Sequence, residues 1–216
     1  DYYVYKEVFK YLDECKKRGN IMVPISLNVS GSHLEGEGFV DYIKSLFDTY
    51  DVDPSFIEFE LTENIYIKNM EAAVGFVADL KELGVKISMD DFGSGYSSLN
   101  MLSKFPIDVL KLDKVFLHSD SFSKKDEVIV SSVISMAKKL NIKVLCEGVE
   151  TVSQAEFLGL AGCDMMQGYL YSKPVCEEEY DEYLVAHSYV VGKEIRFSFD
   201  DSLYDDSGEY KAAIVG

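Results

Sequence analysis

Arginine is scarce in this chain: among its 216 residues only Arg18 and Arg196 carry a guanidinium. A phosphate clamp built here must rest on lysine, backbone amides or metal ions rather than on arginine forks. Positive charge is short overall, and the formal net charge is −17. A binder of long DNA or RNA carries a basic face, so polymeric nucleic acid is excluded as the expected partner. The cysteines Cys15, Cys146, Cys163 and Cys176 form no Cys-x-x-Cys pair. That argues against a disulfide framework or a zinc site and for free thiols in a reducing cytoplasm. No apolar run approaches the roughly 20 residues that cross a bilayer, and no signal sequence opens the chain. The expectation is a cytoplasmic domain without membrane contact, alone or within a larger membrane-anchored protein. No Gly-x-Gly-x-x-Gly follows the first strand pattern, which counts against a dinucleotide-binding fold.

What is present is an alternation of strand and helix patterns. The expected strands are Ile21 to Val29, Phe56 to Leu61, Val85 to Met89, Val109 to Leu112, Lys143 to Cys146 and Met165 to Tyr169. Helical spacing relates Val4, Val8, Tyr11, Leu12 and Cys15, with Gly19 as a stop, and relates Val130, Val133, Ile134, Ala137 and Leu140. Gly84 and Gly162 suit left-handed helix ends, and Thr151 to Gln154 matches a capping box. Alternating elements predict an α/β parallel sheet. Their size suggests a barrel or a doubly wound sheet, and a closed barrel of this kind has about eight strands. After about His187 the pattern changes. Glu194 to Phe199 reads as an extra strand and Asp200 to Glu209 as an acidic, turn-like stretch.

Polar residues gather at the C-terminal ends of the strands: Asn28, Glu60, Asp90, Asp91, Lys111, Asp113, Glu147, Glu150 and Gln167. In a barrel that rim carries the active site. Side chains two apart share a face, which groups Ser26 with Asn28, Glu58 with Glu60, and Lys111 with Asp113. Crowded carboxylates repel unless a cation neutralises them. Oxygen ligands of this kind suit magnesium, manganese or calcium, and adjacent Asp90 and Asp91 suit a pair of ions of the kind used in phosphodiester displacement. Lys111 reads equally as an ion-pair partner of Asp90 or Asp113. Asp91-Phe92-Gly93 matches the kinase magnesium triplet, but no His-Arg-Asp loop accompanies it.

Five segments together resemble the EAL family of cyclic-di-GMP phosphodiesterases. They are Phe59-Glu60-Leu61-Thr62-Glu63, the run Asp90 to Leu99 (DDFGSGYSSL), Pro106 to Asp113 (PIDVLKLD), Glu147 to Thr151 (EGVET) and Gly162 to Pro174 (GCDMMQGYLYSKP). The resemblance covers roughly residues 1 to 186. It implies a TIM-like barrel that hydrolyses cyclic di-GMP to linear pGpG with two magnesium or manganese ions. It implies that Asn28, Glu60 and Asp90 ligate one ion and that Asp90 and Asp91 approach the other, with Glu147 nearby. Lys111 would orient the attacking water and Glu147 would be its general base. Glu150 would hold the loop Asp91 to Ser98, which links the site to a dimer interface, unless it only caps the helix after it. Gln167 would contact water or substrate, Asp113 would stand with the substrate and loop residues, and Ser94 keeps a hydroxyl where threonine is commoner.

One departure is large: no Glu-Ala-Leu occurs, and Glu71-Ala72-Ala73 lies on a helix after the wrong strand. The family's first two strands, with that motif's metal-binding glutamate and a substrate arginine, are the ones wanting. The expectation is therefore residues 1–187 as a barrel lacking its first two strands, residues 188–216 as an acidic extension, a homodimer, and a regulatory domain upstream in the parent protein. Two alternatives remain: a cyclic-di-GMP receptor without catalysis, and an unrelated enolase-like magnesium barrel.

Overall fold

Pro24 has no N–H to give to a ladder, and the first strand starts just after it. The computed structural model describes residues 1–35, 38–62, 65, 70–93, 99–117, 123–191 and 194–197. It divides into two compact units, Asp1–Lys111 and Leu112–Gly216.

The first unit opens with helix α1 (Tyr2–Arg18), followed by strand β1 (Ile25–Asn28), the short α2 (Ser32–Glu35) and α3 (Phe39–Thr49). Strand β2 (Ile57–Thr62), α4 (Met70–Glu82), β3 (Lys86–Phe92), α5 (Leu99–Leu102) and β4 (Val109–Leu112, ending one residue into the second unit) complete it. Helix α1 buries Tyr5, Phe9, Leu12 and Cys15. The expected stripe shared only Leu12 and Cys15 with that face, and Val4 is 52% exposed. Two rings bury more apolar area than two valines, so the helix turns its aromatic positions inward. It ends at Gly19 with φ 70°, after Lys16, Lys17 and Arg18, which complement the carboxyl end of the helix dipole.

Strands β1, β2 and β3 are parallel neighbours in that order. Alternation splits β2 cleanly. Ile57, Phe59 and Leu61 are fully buried. The Phe59 ring meets Tyr5 at 6.1 Å and Phe39 at 6.0 Å, near perpendicular to the first. Glu58 and Glu60 take the other face. Asp108 staples the start of β4: its N–H donates to Ile87 O at 2.8 Å while its Oδ2 accepts from Ile87 N at 2.8 Å. Lys81 closes on the same carboxylate at 2.6 Å. Asp108→Ala orphans the Ile87 N–H and should lower stability by about 1–3 kcal/mol, read from the urea midpoint at unchanged slope.

The second unit holds α6 (Lys124–Lys139), β5 (Lys143–Cys146), α7 (Val152–Ala161), β6 (Met165–Met166) and α8 (Glu177–His187). The hairpin β7 (Ser188–Val191) and β8 (Glu194–Phe197) follows. Helix α6 buries Val130, Ile134 and Ala137 as its spacing predicts, but Leu140 is 46% exposed at the helix end. The Thr151–Gln154 capping box forms, and Gly162 closes α7 at φ 82°. A second box, Ser123 with Asp126, went unread because its third partner is aspartate rather than Glu or Gln. β5 and β6 are parallel. Asp164 repeats the staple of Asp108, its N–H donating to Val144 O at 3.1 Å and its Oδ2 accepting from Val144 N at 2.9 Å. The expected strand at 194 forms as half of the hairpin, while residues 200–209 lie outside the described residues.

Strands β4 and β5 have their expected bounds. β3 runs on to Phe92, three residues past the expected Met89, and so carries Asp90 and Asp91 within it. β6 stops at Met166 instead of reaching Tyr169, because the backbone turns at Gly168, whose O accepts from Tyr171 N at 3.0 Å.

Candidate functional site

In the first unit, parallel register sets side chains abreast in layers. Ser26, Glu58 and Lys86 share one layer, Asn28, Glu60 and Ser88 the next, and Thr62 and Asp90 a third. Lys111 comes from β4 and is 4% exposed. Its Nζ lies 2.7 Å from Glu60 Oε1 and 3.3 Å from Asp90 Oδ1. The second contact is a charge contact without directed hydrogen-bond geometry, for Asp90 Oδ1 is buried and accepts no hydrogen bond. Two carboxylates thus face one lysine. Asn28 is exposed on the neighbouring strand, abreast of Glu60, and its backbone O accepts the Tyr5 hydroxyl at 2.8 Å. Burial pushes that hydroxyl up to about 12, so it remains a donor. Asp91 follows with φ 58° and Gly93 with φ 99°. Aspartate tolerates the left-handed region better than most side chains, so the end of β3 can take this backbone without glycine at position 91.

This donor set fits a divalent cation. A carboxylate oxygen is buried without a hydrogen bond, and lysine supplies the positive charge that the pair of acids requires. Among the described residues no three His, Cys, Asp or Glu side chains already stand close enough to hold an ion together. An ion held here would need further oxygen ligands to join Glu60 and Asp90.

In the second unit, Glu147 follows β5 and is half-buried; its N–H donates to Leu112 O at 3.0 Å. Gln167 N donates to Cys146 O at 2.8 Å, and Val149 N donates to Gln167 O at 3.0 Å. Two glycines permit this. A Cβ on Gly148, at φ 67°, would stand 2.4 Å from Lys114 Cβ, and one on Gly168 would stand 2.1 Å from Val149 O. The segment Glu147–Glu150 is thereby laced to the end of β6. Gly168→Ala must push Val149 away and tilt Glu147. If Glu147 is the base that the family resemblance implies, turnover should fall at least about tenfold, since small misplacements of catalytic groups are expensive, while the far-ultraviolet dichroism is retained.

The other expected site residues have assignable local roles. Asp113 Oδ1 accepts from Val115 N at 2.7 Å and caps a short 3-10 turn. Glu150 is exposed, and its N–H donates to Gln154 Oε1 at 2.8 Å. Ser94, and with it the loop 94–98, lies outside the described residues. So Glu60, Asp90 and Lys111 meet in the first unit with Asn28 beside them, while Glu147 and Gln167 are linked through one backbone lattice in the second. Sequence reasoning missed Gly168 and Asp108 as positioning groups. It also gave Glu58 no role, although the two-residue alternation had paired it with Glu60.

The EAL domain description matches residues 1–174. The chain belongs to the EAL domain family. It is 34% identical over 196 residues, 91% of its length, to the cyclic di-GMP phosphodiesterase NbdA of Pseudomonas aeruginosa. It is 33% identical over 180 residues to the signaling protein YkoW of Bacillus subtilis. The EAL chain spans about a quarter of the length of these curated relatives. Among solved structures, the PaMucR phosphodiesterase in complex with c-di-GMP superimposes with a TM-score of 0.77 at 32% identity, covering 83% of this chain and 72% of that one. The EAL domain of Mycobacterium smegmatis DcpA also gives 0.77, at 29% identity, with 84% and 82% covered. The expected α/β class and TIM-like barrel, with six of the family's strands present, are borne out. Among the described residues no helix is long and apolar enough to cross a membrane.

Proposed function

We propose that this chain carries the greater part of a metal-dependent phosphodiesterase domain that hydrolyses cyclic di-GMP to linear pGpG in bacterial signalling. The observation that carries the reading is the buried Glu60–Lys111–Asp90 constellation, in a chain whose relatives include proteins named for this reaction. Glu60, Asp90, Asp91 and Asn28 would hold two magnesium or manganese ions. Those ions would supply charge for the phosphate oxygens and would acidify the attacking water.

The chain's own residues do the rest. Glu147 takes the proton as water adds to phosphorus, the P–O3′ bond breaks, and the 3′ oxygen leaves to be protonated. Lys111 directs that water, Gln167 steadies water or substrate, and Asp113, Ser94 and Glu150 support the loops around them. With only two arginines in the chain, phosphate charge falls to the ions and to lysine. Residues 1–187 form the barrel portion and 188–216 an extension. A cytoplasmic homodimer with an upstream regulatory domain suits the loop 91–98 and the greater length of the relatives.

Incubation of the chain, extended at its N-terminus by a strand pair bearing Glu-Ala-Leu, with cyclic di-GMP and manganese tests the reading. Formation of pGpG supports it, binding without turnover would mark a receptor, and neither would remove the cyclic dinucleotide altogether.

A further inference from the structure

Cys146 and Cys163 are two thiols for which the reaction above has no use, and they meet beside its base. Cys146 closes β5, is 1% exposed and directly precedes Glu147. Cys163 is half-buried and follows Gly162, where α7 ends in a left-handed turn. Its N–H donates back to Leu158 O at 2.9 Å, so its backbone belongs to the helix end. Its sulfur reaches the strands. Cys163 Sγ donates to Met165 O at 3.1 Å, with Val144 O at 3.5 Å. Met165 stands opposite Leu145 in the parallel register and Met166 opposite Cys146. A sulfur that touches both strands here adjoins the Cys146 side chain, and the two thiols hydrogen-bond each other.

The contact gives the pair unequal roles. The hydrogen bond from Cys146 holds the Cys163 thiol below its ordinary value, against the effect of burial. The same bond, together with burial, pushes the Cys146 thiol up. A reactive cysteine needs thiolate character and access. Cys163 has both, and Cys146 is the buried partner in reach of it. With hydrogen peroxide the Cys163 thiolate attacks the O–O bond, becomes a sulfenic acid and releases one water, which takes up the Cys163 proton. The Cys146 sulfur then displaces the hydroxyl, which leaves with the Cys146 proton as a second water, and the S–S bond forms. Two electrons pass from the two thiols to one peroxide, and a dithiol reductant returns them.

Closing the bond has a mechanical consequence. A disulfide is shorter than the contact of two hydrogen-bonded thiols, so Cys146 is drawn toward Cys163. The Cys146 O accepts Gln167 N at 2.8 Å, and the Glu147 N–H donates to Leu112 O at 3.0 Å. The pull falls on the bonds that fix Glu147.

We propose that Cys146 and Cys163 are a peroxide-oxidised pair whose disulfide displaces Glu147 and lowers turnover. The thiol chemistry stands on the pair itself, and the loss of turnover rests on the phosphodiesterase reading.

The test begins with the 216-residue chain, treated with hydrogen peroxide, alkylated in denaturant and weighed by mass spectrometry. Wild type should lose two of its four alkylatable thiols, with Cys146 and Cys163 recovered in one linked peptide, and dithiothreitol should restore them. Cys163→Ser should form no such link; should that variant not fold, Cys146→Ala takes its place. Four thiols still alkylatable, or a link through Cys15 or Cys176 instead, would overturn the proposal. In the chain extended by the Glu-Ala-Leu strand pair, the same treatment should lower pGpG formation at least about tenfold. Dithiothreitol should reverse the loss, and the cysteine variant should escape it. Equal loss in wild type and variant, or a link with undiminished turnover, would refute the coupling to Glu147. An extended chain that makes no pGpG even when reduced would count against the phosphodiesterase reading. Displacement is then read from hydrogen exchange at the Glu147 and Val149 amides, which should quicken on oxidation; unchanged exchange in the linked chain would refute it.

Discussion

Asp90→Asn is expected to cut cyclic-di-GMP hydrolysis by more than about a hundredfold, as loss of a shared metal ligand does, without weakening the fold. Both halves follow from the same geometry. Asp90 and Glu60 face one lysine, so the pair of acids carries one negative charge more than Lys111 cancels. Asparagine keeps the shape and removes that excess. Lys111 then retains Glu60 at 2.7 Å, and the thermal midpoint should stay level or rise. Activity is measured in the chain extended at its N-terminus by a strand pair bearing Glu-Ala-Leu, and manganese binding in the 216-residue chain. Wild-type turnover in the variant would remove Asp90 from the site. A collapsed midpoint with activity intact in the folded fraction would make its role structural.

Glu147→Gln is expected to lower the turnover number by about 10² to 10⁴-fold, the usual contribution of a positioned base, with KM changed by less than about threefold. Glutamine keeps the length of the side chain and cannot take a proton. The backbone at this residue is fixed independently of its side chain, through Glu147 N to Leu112 O and through the neighbouring Val149 to Gln167 O. The substitution therefore should not disturb the lattice, which separates it from Gly168→Ala. That variant keeps the base but displaces it, so its loss should be smaller and should extend to KM. An unchanged turnover number in Glu147→Gln at saturating manganese would end the assignment of Glu147 as base.

Much of this was legible before any coordinates, and the reason is periodicity. A strand two residues out of phase would still display Glu58 with Glu60, and Lys111 with Asp113, so the polar face could be read from alternation alone. Strands β4 and β5 could be bounded because each is a short apolar run with polar flanks. The misplaced edges have specific causes. Pro24 delays β1, and the turn at Gly168 cuts β6 short. The inward face of α1 depends on how Tyr5 and Phe9 meet Phe39, Phe47 and Phe59, which spacing within the helix does not reveal. The candidate site divides in the same way. Which acids lie at strand ends is a property of the sequence. That Lys111 stands between Glu60 and Asp90 depends on the order and register of three strands. That Glu58 is buried beneath them depends on the layer in which each residue falls. Neither long-range fact is written in any single segment.

The most direct measurement is pGpG produced from cyclic di-GMP in manganese, followed for the extended chain, its Asp90→Asn variant and the 216-residue chain side by side. The account predicts rapid formation of pGpG by the extended chain, stopped by EDTA and by Asp90→Asn, and little from the 216 residues alone, which contain no Glu-Ala-Leu glutamate. Undiminished pGpG formation in EDTA or in the Asp90→Asn variant would contradict it.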